Sequence, residues 1–226
     1  MNHFMQLILV GFLWAGITLP AFSQILIVSD IDDTIKISHV LDRPDALLKA
    51  ARTSNLFLGS NYFYQFLYEK YKNIGVEFVY LSTAPRFLME TSHSNFLKHN
   101  NFPGGSLILP SSLMQIHNHK INTLREILNA RHYQQVILIG DNGERDIEIY
   151  DQIKNEFPGF QYLTFIHQVY FTQAEEHQGK ALLPMQVGFV TPIEIAISLK
   201  EKDLLSQIDL VNIENKLIPE IVNSSL

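Results

Sequence analysis

The apolar residues of this chain fall into short continuous runs separated by longer stretches in which they recur every three or four positions. Ile25-Leu26-Ile27-Val28 is the first run, Val76-Glu77-Phe78-Val79-Tyr80-Leu81 the second and Val136-Ile137-Leu138-Ile139 a third. Runs this short and rich in β-branched residues have the composition of strands buried on both faces of a parallel sheet. A shorter run, Ser106-Leu107-Ile108-Leu109, follows the breaker Pro103-Gly104-Gly105, and 161–169 predicts a further strand. Between the runs the period changes. Phe63, Phe66, Leu67 and Tyr71 put one apolar face on a helix over 62–72 that Gly75 closes, and the aromatic stripe on that face reads as core. A second helix is predicted over 87–99. Ile121, Leu124 and Leu128 mark a third, beginning near His119-Lys120, and Ile147, Tyr150 and Ile153 a fourth. Thr191-Pro192-Ile193-Glu194 is a capping box with proline at the first helical position, opening a helix through Lys200, and 204–221 predicts more helix outside the sheet. Residues 35–55 are irregular, with a turn at Asp42-Arg43-Pro44-Asp45 and a short helix over 46–52, and 173–180 is a polar surface loop. This alternation predicts an α/β fold: a Rossmann-like, mostly parallel sheet with helices on both faces.

Composition narrows the class. At 226 residues, 46% hydrophobic and 18% charged, the chain supports one core, and it shows no repeat or internal boundary. A net charge of -6 without a basic stripe argues against a nucleic-acid partner. The absence of cysteine removes disulfides, thiolate nucleophiles and cysteine metal sites. The N-terminus carries a separate message. No charge occurs over 4–22, Leu7 to Ile17 form an apolar stretch of signal-peptide length, and Ala21-Phe22-Ser23 offers small residues for cleavage before Gln24, although Met1-Asn2-His3 lacks lysine or arginine. The expectation is a cleaved signal peptide, 1–23, and an exported domain, 24–226, secreted or periplasmic. The alternative is a membrane anchor left uncleaved.

The candidate chemistry lies where the strands end. Ligands of parallel sheets bind beyond the carboxyl ends of the strands, and the first strand runs straight into Asp30, Asp32 and Asp33. Two acids at i and i+2 repel each other, which implies a bound cation or a shared proton. Asp30 suits the roles of nucleophile and metal ligand, and Asp32 that of general acid/base. Ser82 ends the second strand, Lys120 opens the third helix, and Asp141 and Asp146 follow the fourth strand. Phosphoryl transfer needs such a set. A carboxylate attacks phosphorus, a hydroxyl and an ammonium hold the non-bridging oxygens, and further acids anchor Mg²⁺ against them. His117, His119 and His167 lack the helical spacing of zinc ligands, and Asn223-Ser224-Ser225 is a glycosylation sequon in a short tail.

In order and spacing these stretches resemble the haloacid-dehalogenase superfamily pattern of Asp-x-Asp-x-Thr, a strand-end Ser or Thr, a Lys and an acidic Gly-Asp motif. More narrowly, Ser29-Asp30-Ile31-Asp32-Asp33-Thr34-Ile35-Lys36, Tyr80-Leu81-Ser82-Thr83-Ala84-Pro85, Phe102-Pro103-Gly104-Gly105-Ser106-Leu107, His119-Lys120 and the run Leu138 to Tyr150 are similar to the catalytic domain of the actin-patch-associated phosphatidate phosphatase family. The resemblance implies a HAD-like fold with a small cap insertion after the first strand. It also implies Mg²⁺-dependent hydrolysis of phosphatidate to diacylglycerol at a membrane surface through an aspartyl-phosphate. Asp30 would be the nucleophile and Asp32 the acid/base, Ser82 and Lys120 the phosphate-binding pair, and Asp141, with Asp146 and the carbonyl of Asp32, would join Asp30 as metal ligands. A soluble phosphomonoester is the alternative substrate, and an inactive secreted binding protein the alternative from another class. Two positions depart from the family pattern, Arg86 where an aromatic is usual and His167 where an arginine is usual, and both are expected to alter substrate choice. Lys120 is expected to act on phosphate with no duty in the core.

Overall fold

A computed structural model describes residues 24–38, 55–173 and 178–224. The expected signal peptide, the turn and helix expected within 39–54, with them most of the expected cap insertion, and Ser225 of the sequon lie outside the described residues.

The first apolar run forms β1 (Ile25–Ser29), buried along its whole length. It pairs in parallel with β2 (Val76–Leu81) on one side and β4 (Gln135–Asp141) on the other. β3 (Ser106–Ile108), β5 (Gln161–His167) and β6 (Gln186–Phe189) complete a six-stranded sheet of order β3-β2-β1-β4-β5-β6, parallel at every pairing. The sheet is therefore wholly parallel where a mostly parallel one was expected. Chain order reverses direction at the β1/β4 junction, the place where open α/β sheets leave a crevice for ligands. The register sets Ser29 level with Tyr80 and with Ile139, so the residues that follow β1, β2 and β4 emerge side by side at one end.

Alternation along β1 divides the core in two. Ile25 and Ile27 pack with Phe63, Tyr64 and Leu67 of α1 (Ser60–Tyr71), Phe96 of α2 (Arg86–His99), and the buried faces of α5 (Pro192–Glu201) and α6 (Gln207–Ser224). Leu26 and Val28 face Ile121, Leu124 and Leu128 of α3 (Ile116–Ala130) and Ile147, Tyr150 and Ile153 of α4 (Asp146–Glu156). Helices thus cover both faces, and each apolar stripe expected to be core is core. The capping box forms as written: Ile193 N donates to Thr191 Oγ1 at 3.3 Å and Thr191 N to Glu194 Oε2 at 3.1 Å.

Two elements differ from expectation. β6 was not foreseen, because Gln186-Val187-Gly188-Phe189 has no apolar run of its own and becomes a strand by pairing with β5. α3 starts at Ile116, preceded by a 3-10 turn over Leu113–Gln115, so Lys120 sits in the second turn of the helix and not at its mouth.

Candidate active site

The sheet brings four of the six expected residues into one buried cluster. Asp30 leaves β1 with its backbone N donating to Ile139 O at 2.9 Å, which ties it to the end of β4. Its carboxylate lies 2.7 Å from Lys120 Nζ through Oδ1 and accepts from Thr34 Oγ1 at 3.0 Å through Oδ2. Lys120 also reaches Asp146 Oδ1 at 2.6 Å and Glu144 Oε2 at 3.5 Å. Asp141 Oδ1 accepts from the backbone N of Gly143 at 2.6 Å and of Glu144 at 3.2 Å, while Asp146 Oδ2 accepts from Asp141 N at 3.3 Å. Gly140 makes this approach feasible, since a Cβ there would fall 2.6 Å from Cβ of Asp146.

Burial and charge shape this cluster. Asp30, Lys120, Asp141 and Asp146 are each at most 2% exposed. Four carboxylates, counting Glu144, surround one ammonium, which leaves surplus negative charge in a place where water cannot screen it. Burial, the largest influence, pushes the Asp30 carboxyl well above its usual range; Lys120 opposes that and the neighbouring acids add to it. Asp141 is pushed well up by burial and by Asp146 and Glu144. Lys120 is driven the other way from what burial alone would do, because Asp146, Asp30 and Glu144 hold its ammonium charged far above the ordinary lysine range. Lys120 is therefore a core ion-pair residue as well as a site residue, which corrects the expectation that it carries no duty in the core.

The same cluster fits a divalent cation. Asp30, Asp141 and Asp146 each present an oxygen within 4.8 Å of the others, and Oδ2 of Asp141 is buried without a hydrogen-bond partner. An all-oxygen, carboxylate-rich donor set suits a hard cation of the Mg²⁺ type.

Asp32 and Ser82 belong to a neighbouring but different environment. Asp32 Oδ2 lies 3.2 Å from His93 Nε2 and 3.5 Å from Ser82 Oγ, and Oδ1 accepts from Ser38 Oγ at 2.6 Å. Ser82 Oγ also lies 3.5 Å from His93 Nε2 and accepts from Ala84 N at 3.0 Å. Burial pushes the Asp32 carboxyl up, but His93, the Ser38 hydroxyl and Lys36 together hold it below its usual range. Directly after Asp32 the chain turns sharply. Asp33 adopts a left-handed φ of 59°, its Oδ1 accepts from Ser38 N at 2.8 Å, and its Oδ2 accepts from the Tyr170 hydroxyl.

Three contributors were not foreseen. Thr34 and Glu144 stood in the motifs without a role, and His93 gave one signal: it is a polar residue on the buried stripe Met89, His93, Phe96 and Leu97 of α2. The two departures from the family pattern separate. His167 is buried, its Nδ1 3.0 Å from Thr34 O and its Nε2 3.2 Å from Val190 O, stacked on Phe189; burial lowers its pKa, and the ring fastens the turn after β1 to the sheet edge. It does not line the cavity beside Lys120, and its ring contacts brace the turn after β1. Arg86 is exposed, with Nη2 donating to Leu109 O at 3.3 Å. His117 meets Arg145 and His119 lines a groove with Arg86, so the three histidines form no common site.

A cavity of about 230 Å³ opens over this cluster, lined by Thr83, Ile116, His117, Lys120, Glu144 and Arg145 among others. Comparison with known proteins agrees with the geometry. An uncharacterized protein of Schizosaccharomyces pombe is 29% identical over 147 residues, an alignment that covers 59% of this chain and 23% of that protein. The chain thus spans about a quarter of the length of that relative. The family model described as phosphatidate phosphatase APP1, catalytic domain, matches residues 25–168, the stretch that holds β1 through β5 and every acid of this cluster. With most of its length matched, and with the matched part carrying the buried acid cluster, the chain belongs to the family of the phosphatidate phosphatase APP1 catalytic domain.

Proposed function

We propose that this protein is a Mg²⁺-dependent phosphatase that hydrolyses a phosphomonoester, phosphatidate being the favoured substrate, through an aspartyl-phosphate on Asp30. The observation that carries the reading is the pairing of two acids at one strand end in different surroundings: Asp30 inside a buried, acid-rich cluster that encloses Lys120 and fits a metal ion, Asp32 outside it against His93. Family membership supports the phosphatidate assignment.

Asp30, Asp141 and Asp146 would hold the cation, with the Asp32 carbonyl. Bound there, Mg²⁺ supplies neutralisation of the surplus acid charge and of the phosphoryl oxygens. In the first half-reaction the Asp30 carboxylate forms a bond to phosphorus as the bond to the substrate oxygen breaks, and Asp32 gives its proton to the departing alkoxide. In the second, Asp32 takes a proton from water whose oxygen attacks phosphorus, releasing inorganic phosphate and restoring the Asp30 carboxylate. Thr34 and Lys120 hold the two oxygens of Asp30 in place beforehand, so attack needs little reorganisation. Lys120 is a three-donor ammonium poised between Asp30 and Asp146 and is placed to turn to a phosphoryl oxygen; Ser82, next to Asp32, is placed to donate to another.

The test is phosphate release by the purified chain beginning at Gln24, with and without Mg²⁺, against phosphatidate vesicles and soluble phosphomonoesters in parallel. Release from phosphatidate that needs Mg²⁺ and vanishes in Asp30→Asn is expected. Release unaffected by Asp30→Asn would overturn the mechanism. Export by cleavage before Gln24 belongs to the same proposal, and mass spectrometry of the exported protein is expected to find Gln24 first.

A further inference from the structure

The end of the sheet that bears the site also bears protruding apolar side chains. Phe87 and Leu88, in the first turn of α2, are 67% and 55% exposed; Leu113 and Met114, on the 3-10 turn before α3, are 62% and 93% exposed. The two turns are joined, because Arg86 N donates to Pro110 O at 3.0 Å and Arg86 shares a groove with Met114. They are also firm. Ser111 Oγ and backbone N both donate to Gln115 Oε1, at 2.8 and 3.2 Å, and Gln115 N donates to Ser112 O at 3.2 Å. Leu113 and Met114 stand one turn before Ile116 and His117 in the wall of the cavity, and Phe87 and Leu88 follow Thr83 of the opposite wall. On the far flank of the same end, Phe171 after β5 and Val190 after β6 are 85% and 62% exposed.

Cations share this rim. Arg86 and Arg145 are exposed there, with His117 held by Arg145, whereas the chain as a whole carries a net charge of -6. The acids near them are Glu90, one turn further along α2, Glu126 in the groove with Arg86 and Met114, and Glu144 in the cavity wall beside Arg145. A Met side chain exposed over nine-tenths of its surface on the tip of a short turn projects from the protein; it does not form the flat, contiguous face that a protein partner would bury. Separate apolar projections among cations, on both flanks of a site mouth, fit the interfacial zone of an anionic bilayer, where apolar tips enter the acyl boundary and cations meet the headgroups. Among the described residues no helix is long and apolar enough to cross a membrane, which agrees with attachment from the side.

We propose that the rim formed by Phe87, Leu88, Leu113 and Met114, with Arg86 and Arg145, docks on the surface of an anionic lipid bilayer and sets the cavity over Lys120 at headgroup depth. The inference rests on the lipid-phosphate reading above, and it names the part of the molecule that meets the membrane. Docking delivers a phosphomonoester headgroup to the buried acids without withdrawing the acyl chains from the bilayer.

The experiment measures co-sedimentation with phosphatidylcholine vesicles, with and without a minor fraction of phosphatidate, for the wild type, Phe87→Asp and the double variant Leu113→Asp/Met114→Asp. Turnover of a soluble phosphomonoester is measured alongside. Burying one Phe, Leu or Met side chain is worth about tenfold or more in partition. The expected result is a loss of roughly tenfold in vesicle partition for Phe87→Asp and more for the double variant, with soluble turnover unchanged and partition of the wild type stronger when phosphatidate is present. Met114→Trp is expected to shift its emission to the blue on vesicles, and further on phosphatidate-containing ones. Unchanged partition in the variants overturns the proposal, as does a solution dimer that the same substitutions dissociate. A wild type that releases no phosphate from any substrate refutes the chemical reading, while its vesicle partition still decides the docking face.

Discussion

Asp30 and Asp32 are the same residue type, two positions apart at the end of one strand, and the fold pushes their carboxyl groups in opposite directions. Asp30 enters a pocket where burial and three further acids outweigh a single ammonium, so its carboxyl is raised. Asp32 turns toward a histidine, a hydroxyl and Lys36, which together outweigh its burial and lower it. The difference teaches that burial alone does not set a carboxylate's chemistry; the partners met on burial do. In the metal-free protein those directions are the reverse of what an ionised nucleophile and a proton donor need, so the roles proposed for the pair rest on a cation at Asp30, Asp141 and Asp146, whose charge would favour the ionised Asp30.

The comparison can be broken most severely at Asp30. Asp30→Asn removes the attacking charge and should lower phosphate release by roughly four orders of magnitude or more. It also relieves repulsion within the cluster, so the midpoint of thermal unfolding of the metal-free protein should hold or rise. Asp32→Asn should differ in kind: with a good leaving group it should still give a burst of product without steady turnover, visible in rapid-quench measurements.

Lys120→Met comes next. Loss of a preorganised donor typically costs about 2.7 to 4 kcal/mol in the barrier, so turnover should fall roughly a hundredfold or more. Removing one partner of a buried ion pair also costs about 3 to 5 kcal/mol of stability, so unfolding of the metal-free variant should occur roughly 10 °C lower. A normal unfolding midpoint would show that the three contacts to Lys120 carry no net stabilisation.

Gly140→Ala tests the close approach of the β4 backbone to Asp146 of α4. Its methyl would meet Asp146, so Asp146 must move or α4 must shift, at a cost of about 1 to 3 kcal/mol, and Mg²⁺ affinity measured by calorimetry should weaken.

Acidity sharpens the comparison without a mutation. In the metal-free protein Asp30 and Asp141 have folded pKa values above their unfolded ones, so the folded state binds more protons between the two. Stability from these groups is then present below the unfolded carboxylate range and is lost as pH rises through the raised values. Mg²⁺ should therefore raise the unfolding midpoint more at neutral than at mildly acidic pH, and Asp30→Asn should flatten that dependence. Asp32 runs the other way, its contribution present above the unfolded range and lost as pH falls through its lowered value.

The smallest effect is expected at His93. His93→Gln removes the main opposing partner of Asp32, so the acid limb of the pH–rate profile should move to higher pH while the fold persists. An unmoved limb would assign His93 to packing alone.

Much of the fold was legible because strand and helix periods differ and the breakers between them are strong: five strands, the amphipathic helices and the capping box at Thr191 can all be placed from the pattern. β6 was not legible, since an edge strand such as Gln186–Phe189 is defined by the partner it pairs with. Asp30, Asp141 and Asp146 stood out because acids directly after apolar runs must emerge at the end of a parallel sheet. Glu144 and Thr34 did not, because charged and hydroxyl residues in turns are ordinary until a partner is seen across from them.

By itself the sequence determined the alternation of strand and helix, the end of the sheet at which the acids collect, and the order of a phosphoryl-transfer set. These depend on local period and on the parallel topology that the period implies. Only the tertiary structure decided the charge balance: that Lys120 is enclosed by Asp30, Asp146 and Glu144, that His93 belongs to Asp32, and that His167 braces the turn after β1. The reason is physical. Interactions between charges depend on distance and on the exclusion of water, and both are set when the β1/β4 register and the packing of α2 and α3 bring together residues far apart in the chain.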